Sequence, residues 1–388
     1  MRIATSWPSA PQRTSSPGGR RISGLISSRL AGIRESFERK RVHGFLITSL
    51  INVRYLSGFR GSSGFLLITR DRNIFVTDFR YKEQAEKELG ARGSEWEIMI
   101  EKGDRLKIIK CLIAGTGIHT LGFESTISYD FFQGLSRCGA RLKPLRETVE
   151  RLRAVKGPEE IRLVKEAVRR AEDAFRDVRP YIRPGKREQE IALMFEERLR
   201  KRGCNRIPFD IIVASGPNSA MPHARATGRK LSAGDLVVID WGGEAEGYCA
   251  DMTRTFLMRD KGSAADGESG KKREIYRHVL NANRRAISTV TPGVESRAVD
   301  GAARDRIKDA GYDRFFGHGT GHGVGLDVHE LPRITWKKSD ILKENMIFTV
   351  EPGIYIEGVG GVRIEDMVLV KRKGAEVLTR LPKSLEVI

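Results

Sequence analysis

The sequence is poor in cysteine and in long apolar runs, and each shortage removes a class of protein. Four cysteines in 388 residues (Cys111, Cys138, Cys204 and Cys249) are widely spaced and form no C-x-x-C. A disulfide scaffold and a zinc ribbon are thereby excluded, and a reducing, cytoplasmic setting is expected. The longest uncharged apolar candidate, residues 44–53, reaches about half of the roughly 18 residues that a membrane-spanning helix needs, so no such helix is expected. Runs of charge are missing too. The net charge of +19 is a feature of nucleic-acid-binding chains, yet the cations are scattered, mostly Arg, with no block of five like charges. A basic, solvated surface is the simpler account, and nucleic acid is not expected as a partner. The first 22 residues, MRIATSWPSAPQRTSSPGGRRI, contain no acidic residue and no apolar core of a secretory signal. They read as a flexible tail outside the fold.

What remains has the 39% apolar and 31% charged composition of a globular chain, long enough for two domains. From about 22 to 41, Leu25, Ile26, Leu30, Ile33 and Phe37 recur at helical spacing. Short apolar runs at 44–50, 64–69 and 74–77 read as strands, with a helix near 81–89, so residues 23–150 are expected to form an α/β domain. Gly157-Pro158-Glu159-Glu160 marks a helix start, because proline fits the first turn and the two acids favour the positive end of the helix dipole. An apolar stripe of Ile161, Val164, Ala167, Ala171 and Phe175 continues that helix to about 178, and a second spans roughly 188–202. Strands are expected around 210–214, 236–241, 248–257, 346–350 and 361–370, and helices near 272–289 and 296–309. Residues 151–388 are thus expected to form an α+β domain with a largely antiparallel sheet. No internal repeat of short period is visible.

The chemistry-bearing residues gather in the second domain. Four of the seven histidines (His223, His318, His322, His329) lie in segments rich in glycine and proline, three of them in GHGTGHGVGLDVHE. That segment matches neither nucleotide-cradling glycine motif, and His329-Glu330 is followed by Leu-Pro-Arg, so the H-E-x-x-H zinc helix is excluded. In VVIDWGGEAEGYCADMTRTF two strands flank a turn centred on Ala245-Glu246, which sets Asp240 opposite Asp251. Facing residues of an antiparallel pair have Cβ atoms about 4.5–5.5 Å apart, and like charges there repel. Either both aspartates point to solvent at a hairpin end, or a hard divalent cation lies between them. Folding VEPGIYIEGVGGVRIED about Gly358 likewise sets Glu351 opposite Glu365. Two opposed acid pairs and a histidine cluster suit two divalent ions sharing carboxylates, the equipment of a dinuclear hydrolase.

The ordered set Asp240, Asp251, His322, Glu351 and Glu365, with His223 before it and His329 after the ligand histidine, resembles the metallopeptidases of the pita-bread fold: methionine aminopeptidase, aminopeptidase P and prolidase. The stretch NVRYLSGFRGSSGFLLIT…FVTDFRYKEQA is similar to the creatinase-type N-terminal domain of the proline-specific branch. The resemblance implies a C-terminal pita-bread catalytic domain behind a smaller α/β creatinase-like domain. It implies a metal-dependent Xaa-Pro exopeptidase, a dipeptidase or an aminopeptidase, that hydrolyses the bond between an N-terminal residue and proline with a dimetal-bridged hydroxide. Asp240, Asp251, His322, Glu351 and Glu365 would hold two divalent ions, manganese first, with cobalt, zinc or iron as alternatives. Glu351 would also move a proton, and His329 or His223 would stabilise the developing oxyanion. His318, Arg363 and Arg333 would contact substrate, Arg333 meeting the terminal carboxylate of a dipeptide and Arg363 either touching substrate or orienting Glu351. Homodimers, peptides with proline in the second position and no membrane complete the expectation. A methionine aminopeptidase-like enzyme and a basic nucleic-acid-binding relative of the fold are the alternatives.

Overall fold

A computed structural model describes residues 17–90, 95–260 and 268–388. The chain forms two compact units divided between Leu152 and Arg153. Residues 1–16, most of the tail expected at 1–22, lie outside the described residues. Residues 17–22 already belong to the first helix.

The N-terminal unit runs α1 (Pro17–Lys40), β1 (Gly44–Ile47), α2 (Leu50–Ser57), β2 (Phe65–Thr69), β3 (Asn73–Asp78), α3 (Lys82–Gly90), β4 (Glu97–Glu101), α4 (Arg105–Thr116), β5 (Thr120–Glu124), α5 (Tyr129–Leu135), β6 (Arg141–Leu145) and α6 (Thr148–Ala154), the last straddling the division. Its six strands form one mixed sheet in the order β4-β3-β2-β1-β5-β6. Leu46, Phe65, Leu67, Ile74, Val76 and Leu121 bury one face of it against Ile109, Leu112 and Ile113 of α4. β1 and β2 are buried along their whole length, which is why they read as unbroken apolar runs. The strand expected at 44–50 stops at Ile47, since α2 begins at Leu50.

The second unit begins with α7 (Pro158–Val178) and α8 (Glu188–Lys201), then β7 (Ile212–Ser215), β8 (Leu236–Trp241), β9 (Glu244–Ala245), β10 (Tyr248–Cys249) and β11 (Met252–Leu257). The same order, two helices and then antiparallel strands, recurs in α9 (Glu268–Thr289), α10 (Ser296–Lys308), β12 (Gly321–Gly323), β13 (Glu330–Ile334), β14 (Ile347–Val350), β15 (Gly353–Ile356), β16 (Gly360–Arg363), β17 (Asp366–Val370), β18 (Ala375–Val377) and β19 (Glu386–Val387). The larger sheets are β19-β11-β8-β7 and β13-β12-β14-β17-β18, antiparallel throughout except for β11 beside β19. Phe175 of α7 stacks on Trp241 with ring centroids 5.1 Å apart, and the indole Nε1 donates to Ala171 O at 3.0 Å. Ile275, Val279 and Ala282 of α9 and Val299 and Ala303 of α10 pack on Phe348, Val350, Val362, Ile364 and Val368.

One register differs from expectation. Glu246 and Gly247 both have left-handed backbones (φ 50° and 90°), so the first hairpin turns on them, one residue later than expected. Asp240 consequently faces Thr253, not Asp251. In the second hairpin Gly353 pairs with Arg363 and Ile356 with Gly360, while Ile347 pairs with Leu369 and Val350 with Asp366. The two ladders share one register across the gap between them, and Glu351 and Glu365 occupy facing positions in that gap.

Candidate active site

Both interrupted ladders put their acids where the backbone leaves regular pairing. Asp251 precedes β11 and Glu365 lies between β16 and β17, both buried. Glu351 N donates to Thr320 O at 2.7 Å and Glu365 N to Thr253 O at 3.1 Å, which ties the acid-bearing turns to neighbouring strands. From α9, Asn283 Nδ2 donates to Val350 O at 2.9 Å and Ile364 O at 3.3 Å, one carbonyl on each side of the gap. His322 reaches the same place on β12, and glycine allows the approach. A Cβ on Gly321 would stand 1.9 Å from Thr349 O, and one on Gly323 2.1 Å from Leu331 O. Gly319, Gly321 and Gly323 of GHGTGHG serve close strand contact.

The result is a concentration of acceptors. Asp251, His322 and Glu365 each offer an atom within 4.8 Å of the others. His322 Nδ1 lies 3.1 Å from Gly323 O and therefore carries the proton, so Nε2 presents a lone pair. That lone pair stands 3.5 Å from both Asp251 Oδ2 and Glu351 Oε1. Burial keeps the imidazole neutral by pulling its pKa down. Burial also drives the Asp251 carboxyl well above its ordinary range, reinforced by Asp240 and then Glu351. Glu365 rises well above its range through burial and then Asp251. Glu351 is raised chiefly by burial.

Asp240 stands beside this group with its two oxygens in different situations. Oδ2 accepts from Arg363 Nη2 at 2.7 Å, whereas Oδ1 is buried with no hydrogen-bond partner. A lone pair facing two carboxylates, and an orphaned buried carboxylate oxygen beside them, are donor atoms arranged to need a cation. Oxygen and imidazole donors without sulfur suit a hard or borderline divalent metal. The residues therefore fit divalent metal ions.

Around the acids lies a cavity of about 960 Å³, lined among others by His223, His318, His322, His329 and Arg363. His318 Nδ1 donates to Gly319 O at 2.8 Å, leaving Nε2 to accept from Tyr355 Oη at 3.1 Å. Tyr355 Oη in turn accepts from Arg363 Nη1 at 3.0 Å. His329 stacks on His322 with ring centroids 4.3 Å apart. His223 is exposed at the cavity wall. Arg333 is not among the residues lining this cavity: it sits exposed on β13, paired opposite His322, its backbone N donating to Asp340 Oδ2 at 3.4 Å.

Sequence reading missed Tyr355, Thr253 and Thr349. Thr253 Oγ1 donates to Glu365 Oε2 at 2.7 Å and accepts from Arg363 Nε at 3.0 Å. Thr349 Oγ1 accepts from His322 N at 3.1 Å. Thr253 carried a signal, since Asp251, Thr253 and Thr255 alternate on one face of the strand. Tyr355 carried none. The neighbouring Gly353 leaves room for its phenol, where a Cβ would stand 2.5 Å from the hydroxyl.

Residues 162–372 match metallopeptidase family M24, and residues 29–155 match the creatinase/prolidase N-terminal domain. The uncharacterized peptidase YqhT of Bacillus subtilis is 39% identical over 363 residues, covering 93% of this chain and 100% of its own length. A solved structure of the Xaa-Pro dipeptidase from Bacillus anthracis superposes with a TM-score of 0.88 at 38% identity, covering 94% of this chain and 100% of that one. The X-Pro aminopeptidase from Thermotoga maritima gives 0.82 at 36% identity, covering 92% and 99%. The second unit has the pita-bread fold that these relatives share, and no helix among the described residues is long and apolar enough to cross a membrane. Converging acids and imidazoles, a creatinase-like first unit and full-length relatives lead to one statement: the chain belongs to metallopeptidase family M24.

Proposed function

We propose that this protein is a metal-dependent exopeptidase that hydrolyses the bond between an N-terminal residue and a following proline. The observation that carries the reading is the convergence of Asp251, His322 and Glu365 within 4.8 Å, with Glu351 reaching the same imidazole nitrogen. The similarity to proteins named Xaa-Pro dipeptidase and X-Pro aminopeptidase supports the substrate class.

Asp240, Asp251, His322, Glu351 and Glu365 would hold two divalent ions, manganese first, with cobalt, zinc and iron able to use the same donors. Such ions, when bound, supply Lewis-acid activation of water and of a carbonyl. The chain's own residues do the rest. Glu351 takes the proton released by the attacking water and returns it to the proline nitrogen, which must gain one as the C–N bond breaks. His329 and His223 offer N–H donors to the carbonyl oxygen as negative charge builds on it. Burial lowers the pKa of His329, so it donates as a neutral ring. Arg363 holds Asp240 directly and His318 through Tyr355, and so sets the cavity wall against which the substrate lies. Arg363 is thereby read as orienting Asp240 rather than Glu351. A homodimer in the cytoplasm belongs to the same proposal.

The test is to strip the protein of metal, reload single metals, and compare hydrolysis of Xaa-Pro, Xaa-Pro-Yaa and Met-Ala-Yaa. Turnover confined to the proline peptides is expected, and their ratio assigns dipeptidase or aminopeptidase. Release of methionine without Xaa-Pro cleavage refutes the reading. Asp251→Ala should lose metal by elemental analysis and lose turnover while its circular dichroism stays that of the parent. Retained metal with full activity would overturn the ligand set.

A further inference from the structure

We propose that the N-terminal unit carries a second binding site, one that takes phosphate-bearing small molecules. It lies where the C-terminal end of α1 meets the first residues of β1 and β6. A cavity of about 650 Å³ opens there, within the size range of small-ligand sites. Arg41, His43, Arg70, Arg141 and Lys143 line it, with Glu38 the one carboxylate among the described residues there. Glu38 is already engaged by Arg70 at 2.6 Å. Arg41 and Arg141 have no anionic partner among the described residues. Phe37, Val42 and Leu142 give the same cavity an apolar side on which an organic group can rest.

The positive charge there is compensated only at Arg70, and Lys143 of the cavity is felt by a neighbour. Partial burial, followed by Arg39, Arg151 and Lys143, holds the Lys40 ammonium below its ordinary pKa. Arg41, Arg141 and Lys143, which no carboxylate among the described residues engages, favour an anionic ligand. The negative end of α1 offsets them only in part, because three of its last four carbonyls are occupied. Val42 N donates to Phe37 O at 3.1 Å, Arg41 N to Glu38 O at 3.0 Å and Lys143 Nζ to Lys40 O at 2.8 Å. The first two bonds form the helix-ending turn in which the left-handed position ordinarily holds glycine. Here that position is Arg41, with φ 49°. A guanidinium kept where glycine would relieve strain is accounted for if the side chain binds something.

The donors suit phosphate oxygens. Two arginine forks present paired N–H groups, a geometry that matches phosphate better than ammonium does. His43 Nδ1 accepts from Thr120 N at 3.1 Å, so in the neutral ring Nε2 carries the hydrogen and donates without being charged. Nucleic acid would need a run of such contacts along a surface. The observations show one bounded cavity, which favours a small ligand.

The experiment uses the full chain loaded with metal, titrated calorimetrically at constant ionic strength with inorganic phosphate and with adenosine monophosphate. Saturable binding of one equivalent is expected in the parent. Arg41→Gly should weaken it at least about tenfold, the loss of one charge-assisted contact. The same variant should melt about 1–3 °C higher without ligand, because the left-handed strain is gone. Arg141→Ser should weaken binding to a similar degree, and both variants should keep parental peptidase turnover. Tighter binding of adenosine monophosphate than of phosphate identifies an organic phosphate as the ligand, and equal binding identifies phosphate itself. Affinity unchanged in both variants overturns the proposal. So does binding only to a DNA duplex with steep salt dependence.

Discussion

Replacing Glu330 by glutamine would remove the carboxylate that two buried cations share, and the size of that loss can be worked from the contacts. Lys156 Nζ stands 3.2 Å from Glu330 Oε2, Arg153 Nη2 donates to Oε1, and Asp327 N donates to Oε1 at 2.9 Å. Side-chain exposures are 1% for Lys156, 7% for Arg153 and 3% for Glu330. At 3.2 Å and an effective dielectric near 20, one such attraction is about 5 kcal/mol before the cost of burying the charges. Removing one member of a buried ion pair typically destabilises by about 3–5 kcal/mol, a large share of a total near 5–15. Urea unfolding of the metal-loaded chain should show that loss with an unchanged slope. The sign with pH follows from the carboxyl. Burial pushes its pKa up, but Lys156 and Arg153 outweigh burial and hold it below its ordinary value. A depressed carboxylate stabilises fully above the unfolded pKa, near about 4.3, and loses that contribution as pH falls through its lower folded value. The gap between parent and Glu330→Gln should therefore narrow below about pH 4. A loss under about 1 kcal/mol at pH 7, or a gap independent of pH, would refute the reasoning. Glu330 directly follows His329, so turnover should fall as well.

Three further perturbations test the scaffold of the site. Asn283→Ala removes the amide that bridges Val350 O and Ile364 O, and should cost about 1–3 kcal/mol in chemical denaturation, with lower metal affinity as Glu351 and Glu365 lose their spacing. Gly321→Ala sets a methyl 1.9 Å from Thr349 O, a backbone atom that cannot swing aside, so circular dichroism melts should show a loss of about 1–3 kcal/mol and turnover should drop. Arg363→Lys keeps the charge but loses the fork that contacts Asp240, Tyr355 and Thr253 together; kcat/KM should fall roughly 10- to 100-fold, and parental kinetics would show that the fork does not matter.

Local periodicity and turn chemistry carried much of the fold. The stripe on α7 was legible because a helix repeats every 3.6 residues, and Val164, Ala167, Ala171 and Phe175 are indeed buried. In the N-terminal unit, β1, β2 and β3 stood out as apolar runs. β5 (TLGFE) and β6 (RLKPL) did not, being short and interrupted by Gly and Pro. The second hairpin was placed in its true register, whereas the first was centred one residue early. Gly247 sits second in its turn with φ 90°, and the Glu-Gly pair was the overlooked sign of a turn with two left-handed residues.

The sequence by itself determined which donors this protein possesses and that Glu351 and Glu365 are spaced as a facing pair, because residue type and strand alternation are local properties. Only the tertiary structure decided that Asp251, His322 and Glu365, more than a hundred residues apart at the extremes, share one centre. It also decided that Asp240 has one oxygen on Arg363 and the other without a hydrogen-bond partner among the described residues, and that Arg333 is not among the residues lining the cavity. Those outcomes depend on how separate sheets pack and how close glycine lets their strands approach, and no short window of sequence contains that information.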